Sequence, residues 1–373
     1  MPAPLNPPLG SPPRRLRAWC AACLALGPGL AAQEAFDVGP IAFREVFPLY
    51  QIALSYQPVD PEALGPGRWR ASLEHLQANT FEFSDVFKEQ TPRDAQGRVK
   101  VTRDFVLAHA AEYAHLPVVF FFDEETARST LRLRRGIGAD TDLWLEAAFQ
   151  SHGGGYLDGL IESFHQLGFE QYGRDKVEKD RLTLVVMEKG QLRFFSDSYV
   201  RGKTEDPVVG LMHRFLSTPA WTVSAAVSLK PPLTTTYGVF KEGWDHSVSV
   251  TAKWKPGPRN LFYFGAGLVR RPHGNEAMRS FLTGEFRDGA GAHATWEHRG
   301  LGRFRPYLQL LYQTGYLRPQ ESQKLDRGSL QHDLGFHWVL GPRSLLSFRY
   351  LNNITHNENT ADMGLGLAYT RSF

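Results

Sequence analysis

Cysteine is almost absent from this sequence, and long apolar runs are absent altogether. The 373 residues include two cysteines, Cys20 and Cys23, and both lie in a short apolar stretch near the N-terminus. If that stretch is removed on export, neither a disulfide framework nor a cysteine-ligated metal can stabilise the fold. No apolar run reaches the roughly 18 residues that a membrane-spanning helix needs, which excludes a helical membrane protein.

An excess of charge of one sign is also lacking. The sequence has 42 basic and 39 acidic residues, a formal net charge of +3. Arg14, Arg15 and Arg17 account for that difference, and all three precede the apolar stretch at residues 18–26. The remainder is neutral, which argues against nucleic acid as a partner.

Motifs of common enzymes are missing as well. No Gly-x-Ser-x-Gly sequence occurs, so the nucleophile elbow of the α/β-hydrolases is absent. Gly265-x-Gly267 is not followed by a helical pattern and therefore does not predict a dinucleotide site. The sequence predicts no cofactor and identifies no catalytic residue. Histidines and serines in alternating segments, such as His293 and Ser249, leave a lipid or surface hydrolase open as an alternative.

The N-terminus has the pattern of a secretory signal. The three arginines form a positive region, residues 18–26 form a short apolar core, and Gly29, Ala31 and Ala32 supply small residues near a cleavage point. We therefore predict a signal peptide at residues 1–32 and a mature domain at residues 33–373.

Alternation of apolar and polar residues is the strongest pattern present. In the last segment, Met363, Leu365, Leu367 and Tyr369 are separated by small residues, and Phe373 follows as a terminal aromatic. A period of two predicts β-strands. The segments are about 9–12 residues long, the length that a tilted strand needs to cross a bilayer. Such a closing strand is typical of outer-membrane barrels, so we expect the barrel-assembly machinery to engage it.

The connections between nine predicted C-terminal strands form a second, independent pattern. From about residue 207 onwards they alternate between tight turns and long loops. Outer-membrane barrels have short periplasmic turns and long external loops, and this parity fits if Phe373 lies on the periplasmic side. Aromatic residues at strand ends predict the two interfacial girdles: Trp221, Trp254, Trp296, Phe304, Trp338, Tyr350 and Tyr369.

The N-terminal half is less regular. Strands are predicted at about residues 49–57, 69–83, 129–138 and 142–150. Together with the nine later strands they give an odd total, whereas barrels of this kind have an even one. Residues 100–109 could supply a further strand, so we predict a barrel of about 12–14 strands. Residues 180–188 and 191–197 predict a separate hairpin around Lys189-Gly190.

An insert at residues 151–206 departs from the alternating pattern. After the break at Gly153-Gly154-Gly155, apolar residues recur at helical spacing: Leu157, Leu160, Ile161, Phe164 and Leu167. They predict a short amphipathic helix in or over the barrel mouth, where it would act as a plug or gate.

The polar face of this helix carries the candidate functional residues. Asp158, Glu162 and His165 are spaced by four and three positions, so they share one side. They could form a metal site or an acid–base cluster, since these residue types supply both chemistries. The simpler interpretation is a solvated or lumen-facing polar face with Arg174 as an ion-pair partner, because any amphipathic helix has such a face.

A family resemblance follows from these motifs. The stretch from Gly153-Gly154-Gly155 through Leu157-Asp158 to Ile161-Glu162-Ser163-Phe164-His165, with Gly39-Pro40 and Phe47-Pro48-Leu49 upstream, resembles the bacterial outer-membrane family catalogued as domain of unknown function 3187. The resemblance extends from about residue 38 to residue 373. It implies a barrel in the outer membrane, and it implies no reaction.

These observations together predict an all-β protein, a transmembrane antiparallel β-barrel with a short helical insert. Its surroundings would be outer-membrane lipid, and its function a passive or gated channel or transporter for small solutes. Predicted inward-facing charges of both signs suit a plugged or weakly selective lumen. An outer-membrane enzyme and a purely structural or surface-interaction barrel stay open as alternatives.

Overall fold

The computed structural model describes residues 37–48, 50–87, 92–165, 177–236, 239–240, 243–272, 286–317, 325–355 and 360–373. The predicted signal peptide lies outside these ranges. None of the helices within them is both long and apolar enough to cross a membrane.

The described chain is mostly β-strand, with a few short helical segments. The α-helices span Arg103–Ala108 and Asp158–His165, and 3₁₀ turns span Asp85–Phe87 and Glu112–His115. The strands are β1 (Trp69–Phe83), β2 (Val118–Gly136), β3 (Thr141–Gly153), β4 (Thr183–Glu188), β5 (Gln191–Ser196), β6 (Val200–Thr204), β7 (Val208–Ser217), β8 (Trp221–Lys230), β9 (Thr235–Thr236), β10 (Val239–Phe240), β11 (Asp245–Gly257), β12 (Asn260–Arg270), β13 (Gly289–His298), β14 (Phe304–Gln313), β15 (Ser329–Gly341), β16 (Ser344–Thr355) and β17 (Met363–Ser372).

Twelve of these strands form a closed antiparallel barrel: β1, β2, β3, β7, β8 and β11 to β17. The ring closes where β1 pairs with β17, with Leu73 opposite Tyr369. Closure leaves no open sheet edge facing lipid, which a membrane-spanning sheet requires. The predicted barrel is confirmed, and its strand number is the lower end of the predicted range.

Two of the predicted strands do not exist. Residues 49–57 were expected to cross the membrane, but the described residues of this segment lie inside the barrel and form no strand. Their apolar and polar positions are buried alike, including Ile52 and Ser55, because the barrel wall surrounds them. Residues 100–109 also form no strand, since Thr102 caps the helix that begins at Arg103.

The two faces of the wall meet different surroundings. Apolar side chains point outward and are exposed, as in Leu73, Val248 and Leu367. Inward-facing side chains are polar and buried, as in Gln309 and Thr251. This is the arrangement of a barrel with hydrocarbon outside and a polar lumen.

Aromatic rings mark one end of the barrel, next to its tight turns. Trp221 and Trp254 stack with ring centroids 5.8 Å apart, and Phe304 and Trp338 pack edge to face at 6.4 Å. Tight turns join β2 to β3, β7 to β8, β11 to β12, β13 to β14 and β15 to β16, all at this end. We call it the turn end and the opposite one the loop end. The predicted parity of connections is confirmed.

Beyond the loop end, β2 continues into a sheet with β4 and β5. The hairpin predicted around Lys189-Gly190 is this β4–β5 pair, and both turn residues have positive φ (46° and 75°). One face of the sheet, with Phe120 and Phe122, covers the loop end of the lumen. The other face, with Phe121, packs against residues 99–113.

Candidate functional site

A segment that precedes β1 occupies the lumen. Residues 37–66, here called the plug, begin at the turn end, where Asp37 pairs with Arg299. They reach the loop end, where Phe47 packs edge to face on Phe122 at 5.4 Å. They then return to the turn end, where Glu62 pairs with Lys253. The plug therefore passes the whole length of the barrel twice.

The ascending limb is held by side chains of the wall. Gln309 accepts a hydrogen bond from the N–H of Ile41 at 2.8 Å and donates one to its carbonyl at 2.9 Å. Further along, Arg44 pairs with Glu146 at 3.3 Å and with Glu205 at 3.0 Å. All these groups are buried or nearly so, and the wall thus supplies the partners that an isolated extended segment lacks.

The tip of the plug is a compact turn. Oε1 of Glu45 accepts hydrogen bonds from the N–H groups of Val46 and Phe47, both at 3.0 Å, and the N–H of Glu45 donates to Ser55 at 2.9 Å. Tyr50 stacks on Tyr316 with ring centroids 4.5 Å apart. The tip is thus fixed internally and also packs against the loop that follows β14.

The descending limb fits into a gap made by glycine. A Cβ atom on Gly291 would lie 2.4 Å from Cβ of Tyr56, and one on Gly267 would lie 2.8 Å from the Tyr56 ring. Only glycine lets the limb approach the wall so closely. The Tyr56 hydroxyl then reaches Nδ1 of His293 at 2.8 Å. The Gly265-x-Gly267 sequence therefore has a structural role, in accommodating the plug.

Both ends of the plug are tied to the same lysine. Lys253 on β11 pairs with Asp37 at 3.0 Å and with Glu62. Glu62 also pairs with Arg214 at 3.3 Å and accepts a hydrogen bond from Thr222 at 3.0 Å. These charged contacts lie at the turn end, so the anchor of the plug is electrostatic there and largely apolar at its tip.

The electrostatics of the anchor favour ionised carboxylates. Burial alone would raise the pKa of Asp37, but Arg299 and Lys253 outweigh it, so the pKa is lowered. Burial would likewise raise the pKa of Glu62, yet its hydrogen bond and ion pair with Lys253 lower it. Both acids are therefore charged, and hold the plug, throughout the neutral range.

The plug does not fill the lumen completely. Two adjoining cavities, of about 120 and 40 Å³, lie between the plug and the wall formed by β1, β2, β3 and β15 to β17. Both are lined by Ser72, Glu74, Arg132 and Arg349, so these residues form a waist between them. We call the two cavities together the cleft.

Arginine dominates the charged lining of the cleft. The arginines that line it are Arg44, Arg70, Arg128, Arg132, Arg134 and Arg349, and the carboxylates are Asp60, Glu74 and Glu146. Most of the arginines are paired: Arg349 with Glu74 at 2.9 Å and with Asp333, and Arg128 with Glu205 at 2.6 Å. The predicted mixture of inward-facing charges is confirmed as a set of buried ion pairs.

The predicted functional cluster on the helix is only partly visible. Asp158 is buried, and Oδ2 accepts a hydrogen bond from the N–H of Asp180 at 2.7 Å. Glu162 pairs with Arg98 at 3.0 Å and with Lys179. The side chain of His165 and the whole of Arg174 lie outside the described residues. Within the described ranges, no group of three or more metal-ligating side chains could hold a metal ion.

The helix carrying this cluster does not enter the lumen. Leu157 and Ile161 pack against Tyr350, Met363 and Leu365, which lie on the outward-facing side of β16 and β17. We call this helix (Asp158–His165) the outer helix. The prediction that it plugs the barrel was wrong, because amphipathic spacing identifies an apolar face without showing which surface covers it. The lumen is occupied by the plug instead, which sequence patterns misassigned as a strand.

The fold and its occupied lumen define a plugged β-barrel of the outer-membrane type. The chain belongs to the family described as protein of unknown function DUF3187, whose model matches residues 104–373. The resemblance noted from the sequence began earlier, near residue 38, so the plug and β1 precede the matched range. No curated protein matches the chain.

Solved structures of low sequence identity share the fold. The COG4313 outer membrane channel from Pseudomonas putida F1 has a TM-score of 0.50 and 12% identity, over 86% of this chain and 100% of that one. The Ralstonia pickettii toluene transporter TbuX has a TM-score of 0.38 and 10% identity, over 83% and 90%. A Pseudomonas aeruginosa FadL homologue has a TM-score of 0.37 and 9% identity, over 90% and 98%.

Proposed function

We propose that this protein is an integral outer-membrane channel or transporter for small solutes, with the plug as its gate. The observation that carries the proposal is the cleft beside the plug, since a purely structural barrel needs no polar space there. The COG4313 protein from Pseudomonas putida F1 is an outer membrane channel, and the proposal extends that role to this chain on grounds of its own lumen.

The construction of the plug supports gating. At the turn end it is held by ion pairs rather than by an apolar core: Lys253 contacts Asp37 and Glu62, and Arg299 contacts Asp37. Ion pairs can be exchanged for water at modest cost where solvent has access. The plug can thus leave the lumen from that end without unfolding the barrel wall.

Export and assembly form part of the same proposal. Residues 1–32 would direct the chain through the inner membrane as a signal peptide. β17, followed by Phe373, would be engaged by the barrel-assembly machinery, and the exposed apolar wall would then face outer-membrane lipid.

Conductance across planar bilayers tests the proposal. The wild-type protein is expected to open rarely, and Lys253→Met, which releases both ends of the plug, to open more often or more widely. Lys255→Met is the matched control, because Lys255 lies on the same strand and has no ion pair with a described residue. Folding of each variant is checked by heat-modifiable mobility on a detergent gel. If correctly folded Lys253→Met conducts no more than the wild type, the plug is not a gate.

A further inference from the structure

The waist of the cleft has an uneven distribution of hydrogen-bond donors. Arg349 is saturated by Glu74, Asp333 and the carbonyl of Ala42, and its side chain is only 5% exposed. Arg132 differs. Its Nε and one Nη2 hydrogen go to Glu146, and its side chain is 28% exposed.

Arg132 therefore has donors to spare. A guanidinium carries five N–H groups, and no described residue accepts a hydrogen bond from Nη1 of Arg132. Because Arg132 lines both cavities, these donors lie at the point that any solute in the cleft must pass. A second orphan donor lines the larger cavity: Nε2 of Gln57, which is buried and has no partner among the described residues.

Charge at the cleft favours an anion. Six arginines and three carboxylates line the two cavities, and the spare donors belong to an arginine. A planar guanidinium with two free N–H groups matches the geometry of a carboxylate. A cation would meet the same arginines without a free acceptor to balance them, since Glu74 and Glu146 are already paired.

The remainder of the larger cavity is apolar. Its lining includes Val38, Ile41 and Val59 of the plug and the ring face of Trp144 on β3. At about 120 Å³ it approaches the roughly 150 Å³ of a cavity known to admit benzene. It can thus accept one aromatic ring or a short aliphatic chain.

We propose that the waist of the cleft binds the carboxylate of a small organic acid, with the Arg132 guanidinium as the donor and the apolar body of the acid against Val59 and Trp144. As a statement about the transported solute, this inference rests on the proposed function. As a statement about binding, it stands on the cleft alone.

Titration calorimetry of the folded, detergent-solubilised barrel tests the site with benzoate as the probe. Benzyl alcohol, which has the same ring without the charge, is the matched ligand. We expect benzoate to bind and benzyl alcohol to bind at least about tenfold more weakly, the ratio that one charge-assisted hydrogen bond supplies. Arg132→Gln should weaken benzoate binding by about tenfold or more, and Arg343→Gln, an exposed arginine of the β15–β16 turn, should leave it unchanged.

Several outcomes would overturn the site. Equal binding of the two ligands to the wild type would show that charge is not recognised, and this comparison needs no variant. Benzoate binding that survives Arg132→Gln would exclude Arg132 as the donor. Should that variant fail to fold, Arg132→Lys keeps the charge but loses the planar fork, and an unchanged affinity there would contradict the bidentate contact.

The proposed function is tested separately by conductance. A protein that conducts but does not distinguish benzoate from benzyl alcohol is a channel without this site. A protein that binds benzoate through Arg132 but never conducts has the site without the proposed gating.

Discussion

Ile41 in the plug and Gln309 in β14 are joined by two hydrogen bonds, so that one side chain of the wall pairs with both backbone groups of one plug residue. The arrangement resembles a single rung of a β-ladder. It fixes the position of the ascending limb in the barrel and makes the plug sensitive to a single substitution in the wall.

Replacing this glutamine should loosen the plug. Gln309→Leu leaves the N–H and carbonyl of Ile41 unpaired, at about 1–3 kcal/mol for each buried group. We expect open events in planar bilayers to rise by about tenfold or more. Gln331→Leu is the control, because Gln331 is buried in β15 but its Nε2 has no partner in the described structure. Equal conductance of the two variants would contradict a role for the Ile41 contact.

Acid should open the barrel. Asp37 and Glu62 have lowered pKa values in the plugged state, so their stabilisation is present above the ordinary carboxylate pKa and is lost as pH falls through the lowered value. We expect conductance to be flat from pH 8 to about 5 and to rise only below about 4. The double variant Asp37→Asn with Glu62→Gln should be open already at pH 7 and show no further rise.

A methyl group at Gly291 should displace the descending limb. Its Cβ atom would lie 2.4 Å from Cβ of Tyr56, and overpacking of this kind costs about 1–3 kcal/mol. Gly291→Ala is therefore expected to raise conductance. Gly257→Ala should not, because a Cβ there meets nothing within 4 Å. Adding Tyr56→Gly to Gly291→Ala relieves the contact, and fluorescence of a label on the plug should then show the limb seated again.

Loss of Arg349 should weaken the barrel itself. Arg349→Met leaves Asp333 buried with only the hydroxyl of Tyr307 beside it, at 3.2 Å. Breaking a buried ion pair in this way costs about 3–5 kcal/mol, measured as the free energy of unfolding by urea in lipid vesicles. Arg343→Met, in an exposed turn, should change it by less than about 0.5 kcal/mol. Similar values for both would show that the lumen is well hydrated at Arg349.

The outer helix should depend on Glu125 more than on Glu162. Glu125 accepts hydrogen bonds from the backbone N–H groups of Tyr156 and Leu157 and from Gln77. Glu162 makes partly exposed ion pairs, which contribute about 0–1 kcal/mol, and these pairs lower its pKa although burial opposes them. Limited proteolysis between residues 154 and 182 should accelerate by about tenfold in Glu125→Ala and by less than about threefold in Glu162→Ala.

Conductance provides the second measurement on these two variants. Because the outer helix packs on the outward side of β16 and β17, neither substitution should open the lumen. A rise in conductance in Glu125→Ala would restore the hypothesis that this helix is a gate.

The wall of the barrel was predictable because its pattern is local. In β8 and β11, residues such as Val227 and Val250 alternate with Ser228 and Thr251, and each position meets a single solvent. The period of two therefore survives unchanged in the sequence. The aromatic residues and the parity of turns reinforced the same conclusion from separate observations.

The plug was not predictable by that argument. Tyr50, Ile52, Leu54 and Tyr56 alternate as a strand would, but this segment contacts wall residues distant in sequence on every side. One signal could have identified it: Gly265, Gly267 and Gly291 are inward-facing positions without side chains, which implies an occupant close to the wall. The cleft was also missed, because ion pairs such as Arg44–Glu146 join residues 102 positions apart.

A photocrosslink tests the central claim, that residues 37–66 lie inside the barrel, most directly. A photoreactive phenylalanine analogue in place of Ile41, irradiated in intact outer membranes, should form an adduct with a peptide of β14 (Phe304–Gln313), identified by mass spectrometry. If the analogue instead labels lipid or soluble periplasmic proteins, and no inward-facing strand of the barrel, then the plug is not in the lumen.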